Sequence, residues 1–83
     1  MTTVELYYSD TCRDCHQLRT ILMEIIPRSM KFKEINISYP EGQRRASELN
    51  IMSVPTIAMD GEVVFVGRTS REEIIREIRT RES

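Results

Sequence analysis

The sequence predicts an α/β fold in which a four-stranded mixed sheet carries helices on both faces, in the order β-α-β-α-β-β-α. Short segments rich in β-branched and aromatic residues alternate with segments whose apolar residues recur at helical spacing. Asp60-Gly61, between two such short apolar segments, is a strong signal for a β-hairpin. With 83 residues the chain is long enough for one hydrophobic core, so we expect residues 1–83 to form a single domain.

The first half of the chain has the pattern of a β-α-β unit. Residues 4–8 are predicted to form a strand, and residues 13–26 a helix whose apolar stripe faces the sheet. Pro27 ends that helix, and residues 32–37 are predicted to form the second strand. Two strands joined by a crossover helix lie parallel with a right-handed connection, and we expect that arrangement here.

The second half supplies one more helix, a hairpin and a final helix. Pro40 fits the first turn of a helix that runs to about residue 49. Residues 56–59 and 63–66 are predicted to be the two strands of the hairpin. Ser70 and Glu73 form a capping box, in which each side chain can satisfy a backbone amide of the other, at the start of the last helix.

Charge and composition exclude several classes of function. Twelve basic and thirteen acidic residues give a net charge of −1, which does not favour nucleic acid or an anionic membrane as a partner. The sequence has neither a signal-peptide pattern nor an apolar run long enough to span a membrane. We therefore expect a cytoplasmic monomer that is not bound to a membrane, in a compartment that keeps thiols reduced.

Cys12 and Cys15 are the only cysteines, and they lie where the first strand leads into the first helix. At this spacing the two sulfurs can close a disulfide, and Cys12 lies over the unpaired amides and the positive dipole end of the helix. Both effects favour a Cys12 thiolate, and the pKa of cysteines in such sites is roughly 3.5–7.5. Cys12 is thus the expected nucleophile, and Cys15 the thiol that resolves the mixed disulfide. Arg13 and Asp14 carry opposite charges that nearly cancel.

Other uses of this motif stay open at this point. Two thiolates can bind Cu(I) or share a zinc ion, as in a metallochaperone, although a structural zinc site needs more ligands than two cysteines and one histidine. The run Cys12-Arg13-Asp14-Cys15-His16 also matches the attachment motif of c-type haem, which the strand-rich pattern opposes. An interaction module with incidental cysteines is a further alternative. His16 is expected to be a surface residue.

Residues 3–15, with the CxxC at their end, resemble the opening of glutaredoxins and small thioredoxins. Ser53-Val54-Pro55-Thr56 resembles their cis-proline loop, and the hairpin with its capped final helix resembles their C-terminal half. The match covers nearly the whole chain and is greatest to the glutaredoxin-sized thioredoxins of archaeal type. The resemblance implies a compact, glutaredoxin-like thioredoxin fold.

The resemblance also implies a function and a set of site residues. It implies a protein-disulfide reductase that has no bound cofactor beyond a redox-active Cys12–Cys15 disulfide. A thioredoxin reductase-like protein, or less favourably glutathione, would return it to the dithiol form. It implies a cis Pro55 packed against the Cys12 sulfur, with the Val54 backbone pairing with substrate. We also assign Tyr8, Arg13 and Asp14 to the substrate-binding surface.

The chain departs from both families at positions that matter for chemistry. Glutaredoxins usually have lysine where this chain has Ser9, and Gly-Gly followed by Asp where it has Gly67-Arg68-Thr69-Ser70. These positions help to hold glutathione, so the glutathione-dependent glutaredoxin is the alternative and not the main hypothesis. Full-length thioredoxins have a buried aspartate where this chain has Leu6, so we expect water or substrate to accept the Cys15 proton.

Overall fold

The structure, a computed structural model, describes residues 1–82 and has seven elements in the predicted order. They are β1 (Thr3–Tyr8), α1 (Arg13–Ile25), β2 (Lys31–Asn36), α2 (Pro40–Glu48), β3 (Thr56–Met59), β4 (Glu62–Val66) and α3 (Arg71–Glu82). Each boundary lies within one residue of the prediction, apart from the C-terminus of α3, for which none was made. Within residues 1–82, no helix is long and apolar enough to cross a membrane.

The strands of the described chain form one four-stranded mixed sheet with the order β2-β1-β3-β4. β1 and β2 are parallel, whereas β3 is antiparallel to both β1 and β4. Tyr8 lies opposite Asn36, and Thr56 lies opposite both Tyr7 and Val66. The ends of β1, β2 and β4 and the start of β3 therefore meet at one edge of the sheet. The CxxC segment and the Val54-Pro55 loop both leave the sheet at this edge.

Helices cover both faces of the sheet, as predicted. On one face α1 and α3 pack against the strands, with a core of Val4, Leu6, Leu18, Leu22, Met30, Ile57, Met59, Ile74 and Ile78. On the other face Ala46 of α2 packs against Tyr7 and Ala58. Alternate strand residues point to opposite faces, so β1 contributes Leu6 to the first core and Tyr7 to the second.

Two local features fix helices at the edge that carries the CxxC segment. α2 passes so close to the end of β2 that a Cβ on Gly42 would overlap the Asn36 carbonyl oxygen. The capping box before α3 forms as predicted, because the Glu73 amide donates to the Ser70 hydroxyl at 3.1 Å. The Glu73 carboxylate in turn accepts from the Ser70 amide at 3.4 Å. These contacts set where α2 and α3 begin relative to the sheet.

Candidate active site

Cys12 caps the N-terminus of α1. Its backbone is extended, with φ −92° and ψ 108°, and its sulfur accepts a hydrogen bond from the Cys15 amide at 3.1 Å. A disulfide joins Cys12 to Cys15, whose Cα atoms lie 5.2 Å apart. Cys12 is half-buried, whereas Cys15 is only 1% exposed. Cys12 is therefore more accessible to a partner molecule than Cys15.

The Val54-Pro55 loop lies at the same edge of the sheet as the two cysteines. The Val54–Pro55 peptide bond is cis, as the family resemblance implies. Pro55 is buried, Val54 is half-buried, and the Thr56 hydroxyl donates to the Ser53 carbonyl at 2.8 Å. The Gly67 amide donates to the Pro55 carbonyl at 2.7 Å. The end of β4 thus holds this loop beside the end of β1, which leads to Cys12.

Charged groups around Cys12 come from two segments of the chain. Arg13 is exposed, and Asp14 lies 4.0 Å from Arg68, measured from Oδ1 to Nε. Asp10 accepts a hydrogen bond from the Asn36 side-chain amide at 3.0 Å. His16 is exposed, and its Nε2 lies 3.2 Å from the Asp10 carbonyl oxygen. Asp14, predicted as a substrate contact, therefore has an ionic partner within the chain.

A groove of about 350 Å³ runs from the Val54 end of the site along α2. Its walls include Ile37, Ala46, Ile51 and Val54, and Met52 stands on its rim with 94% of its surface exposed. Among the described residues that line the groove none is charged, although 30% of the residues in the chain are. The edge of the sheet that carries the cysteines is therefore uncharged on the side next to α2 and charged on the side next to α1 and α3.

Leu6 and Glu5 of β1 face opposite sides of the sheet. Leu6 is fully buried in the core beneath α1, where a thioredoxin-type internal carboxylate would lie. Glu5 is also buried, but its carboxylate accepts from the Tyr7 hydroxyl at 3.0 Å and from Arg45 at 3.5 Å on the α2 side. Burial and the Glu5 charge raise the pKa of Tyr7 to about 12. The buried carboxylate of Glu5 is thus separated by the sheet from α1, which carries Cys15.

The family model described as "Thioredoxin domain" matches residues 2–80 of the chain. This chain belongs to the thioredoxin family. It is 31% identical over 81 residues to the thioredoxin of Methanocaldococcus jannaschii, covering 94% of this chain and 93% of that protein. It is also 31% identical over 85 residues to a probable thioredoxin of Methanothermobacter thermautotrophicus, with the same two coverages.

Solved structures confirm the fold. A mutant thioredoxin from Halobacterium salinarum superposes with a TM-score of 0.81, covering 95% of this chain and 73% of that one at 24% identity. The thioredoxin fold predicted from the resemblance is therefore confirmed, as is its archaeal-type relationship. Family and disulfide together make the chain a thiol–disulfide oxidoreductase that acts on protein disulfides.

The structure brings some of the predicted site residues together at one edge of the sheet and places Tyr8 partly in the core. Cys12, Cys15, Val54 and Pro55 are brought to one edge, whereas Tyr8 is half-buried at the end of β1 and also packs against the core beneath α1. Arg68 and Met52 were not predicted as site residues. The signal that could have indicated Arg68 is its place directly after β4, because that strand ends at the same edge as β1. Within residues 1–82, no three or more His, Cys, Asp or Glu side chains converge as a metal site.

Proposed function

We propose that Cys12 attacks the disulfides of substrate proteins and that Cys15 resolves the mixed disulfide. The observation that carries this assignment is the difference in accessibility between the two sulfurs at the start of α1. Cys12 is half-buried and its sulfur accepts a hydrogen bond from the Cys15 amide, whereas Cys15 is only 1% exposed. The more accessible cysteine, whose sulfur also accepts a backbone hydrogen bond, is the better nucleophile at neutral pH, because the hydrogen bond and the helix dipole stabilise its thiolate.

The reaction passes two electrons to the substrate in two exchanges. The Cys12 thiolate attacks one substrate sulfur, forms a mixed disulfide and releases the other substrate sulfur as a thiolate. Cys15 then loses its proton and attacks the Cys12 sulfur, which forms the Cys12–Cys15 disulfide and releases the second substrate thiolate. Because Leu6 replaces the internal carboxylate, the released substrate thiolate or water takes the proton from Cys15.

Substrate docks, in this proposal, along the edge that carries Val54 and Pro55. The Val54 backbone pairs with an extended substrate segment, as the family resemblance implies. Tyr8, Arg13 and Asp14 complete the proposed contact surface, with Asp14 acting together with Arg68. The uncharged groove beside Val54 is wide enough for an apolar side chain next to the substrate cysteine, because ligand pockets begin at about 300 Å³.

The electron donor is proposed to be a thioredoxin reductase-like protein. The names of the archaeal relatives and the departures at Ser9 and after Gly67 support this donor over glutathione. We further propose that the chain acts as a monomeric single domain in the cytoplasm. Rates of recycling with a thioredoxin reductase system and with glutathione plus its reductase, measured side by side, distinguish the two donors. A faster rate with glutathione would contradict the proposed donor.

Insulin reduction with dithiothreitol tests the reaction itself. The wild-type protein is expected to accelerate precipitation of the reduced insulin chains, and Cys12→Ser is expected to abolish the acceleration. Serine is a good N-cap residue. The substitution therefore removes the nucleophile, while the serine hydroxyl can still accept a hydrogen bond from the Cys15 amide. Activity that survives Cys12→Ser would show that the proposed mechanism is wrong.

A further inference from the structure

We propose that Arg68 is a positioning residue for the redox reaction, which neutralises Asp14 and thereby keeps Cys12 in its reactive thiolate form. The inference rests on the proposed role of Cys12 as the nucleophile. Arg68 is far from the CxxC motif in sequence, but its Nε lies 4.0 Å from Asp14 Oδ1. The pair connects the first turn of α1 to the loop between β4 and α3.

The position of Asp14 makes its charge matter for Cys12. Asp14 lies between the two cysteines in the first turn of the helix that Cys12 caps. A carboxylate there places a second negative charge at the helix end whose positive dipole stabilises the Cys12 thiolate. It also repels the thiolate directly, because like charges at short range disfavour ionisation of each other. Alone, Asp14 would therefore raise the pKa of Cys12 and slow its attack.

Arg68 is placed to offset this effect. Gly67 has φ +80°, a conformation that glycine adopts readily, and its amide is fixed to the Pro55 carbonyl at 2.7 Å. The loop therefore leaves β4 with Arg68 next to the first turn of α1. The Arg68 side chain is 82% exposed and that of Asp14 is 43% exposed, so the pair is open to solvent. Its effect should consequently be moderate and sensitive to salt.

Two further charged side chains, Asp10 and Arg13, lie on the segment that carries the cysteines, together with the histidine His16. The Asp10 carboxylate accepts a hydrogen bond from the Asn36 side-chain amide, and the Ser53-Val54-Pro55-Thr56 loop at the same edge of the sheet has no charged residue. Asp10 and Asp14 together outnumber Arg13, so the local balance without Arg68 is negative, and Arg68 brings the balance of these four charges to zero.

The test is a double-mutant cycle on the pKa of Cys12. The protein is studied in a Cys15→Ser background, so that Cys12 is the only thiol, and its ionisation is followed by thiolate absorbance. Arg68→Gln, Asp14→Asn and their combination are compared with Arg76→Gln, which removes the same charge from the exposed surface of α3. The rate of alkylation of Cys12 at neutral pH serves as the second readout.

Arg68→Gln is expected to raise the pKa of Cys12 by about half a unit, which lowers the thiolate fraction up to about threefold near neutral pH. Asp14→Asn should lower that pKa, and Arg76→Gln should leave it unchanged. The Arg68→Gln effect should be smaller in the Asp14→Asn background, because Asp14 holds the exposed Arg68 side chain at the first turn of α1. An unchanged pKa in Arg68→Gln, or an equal shift in both backgrounds, would overturn the proposal. Since no substrate is present, a failed insulin assay would reject the proposed function without deciding this result.

Discussion

The backbone amide of Cys15 donates a hydrogen bond to the Cys12 sulfur at 3.1 Å. Because the donor belongs to the backbone, replacing the Cys15 side chain leaves this bond in place. Cys15→Ser is therefore expected to keep a reactive Cys12 but to lose the resolving step. Incubation with a disulfide substrate should accumulate a covalent adduct at Cys12, detected by non-reducing electrophoresis and mass spectrometry.

Cys12→Ser is the matched control, because it changes one sulfur to oxygen in the same turn and is expected to give no adduct. Sustained turnover of protein disulfides by Cys15→Ser would contradict the resolving role of Cys15. The Cys15→Ser variant also distinguishes dithiol exchange from a glutathione-dependent mechanism. It should lose glutathione-dependent activity if the chain works only by dithiol exchange, and it should retain that activity if the chain works as a glutaredoxin.

Met52 gives a test of the uncharged groove. Met52→Lys places a cation on a rim whose described lining residues carry no charge, next to Val54. We expect the KM for protein disulfides to rise about fivefold. Docked substrate would cover part of the Met52 side chain, and losing that apolar contact costs about 1 kcal/mol. Reduction of a small aromatic disulfide, which does not reach the groove, should change little.

Met23→Lys is the control for this prediction, because Met23 is 60% exposed on α1 and does not line the groove. It adds the same charge without changing the proposed docking surface. If the two variants have the same KM, or if Met52→Lys slows the small and the protein disulfide equally, substrate does not use the groove.

The fold and the two cysteines were predictable because their signals are local. The strand segment 4–8 is rich in β-branched and aromatic residues, Pro27 stops a helix, and Asp60-Gly61 makes a hairpin. The CxxC spacing likewise specifies its own geometry at the start of a helix. These elements needed no knowledge of how distant segments approach each other.

The features that were missed depend on such approaches. Arg68 meets Asp14 only because β4 ends at the same edge of the sheet as β1, and sequence gives no measure of that distance. Glu5 is buried, which its charge alone would not predict, because α2 brings Arg45 over it and Tyr7 supplies a second donor. The groove beside Met52 likewise arises from the position of α2 on the sheet, which one glycine sets.

Gly42 is that glycine, and the usual helix preference is expected to be reversed there. In an ordinary helix interior, alanine is more stable than glycine by up to about 1 kcal/mol. At Gly42 a Cβ would overlap the backbone carbonyl oxygen of Asn36, so the helix or the strand must shift. We expect Gly42→Ala to lower the free energy of unfolding by about 1–3 kcal/mol, measured by urea denaturation.

Gln43→Ala is the matched control, because Gln43 is the next residue of α2 and is exposed. It should leave the free energy of unfolding within about 0.5 kcal/mol of the wild-type value. A Gly42→Ala protein as stable as Gln43→Ala would mean that α2 does not approach the end of β2 as closely as described.

Tyr7 predicts how stability depends on alkaline pH. Its side chain is fully buried, and its hydroxyl donates to the Glu5 carboxylate at 3.0 Å. Burial, followed by the Glu5 charge, raises the pKa of Tyr7 to about 12 in the folded protein, against about 10 in the unfolded chain. The folded state thus holds this proton more tightly. Its contribution to stability is complete below pH ~10 and is lost as the pH rises towards ~12.

Urea unfolding of the wild-type protein and of Tyr7→Phe across this alkaline range isolates the effect. Tyr7→Phe leaves Glu5 without one donor, so it should be less stable near neutral pH by about 1–2 kcal/mol. Between pH ~10 and ~12 the wild-type protein should lose up to about 2 kcal/mol more than Tyr7→Phe loses, so the two stabilities converge. Parallel pH profiles for the two proteins would show that the phenol of Tyr7 ionises as readily in the folded state as in the unfolded state.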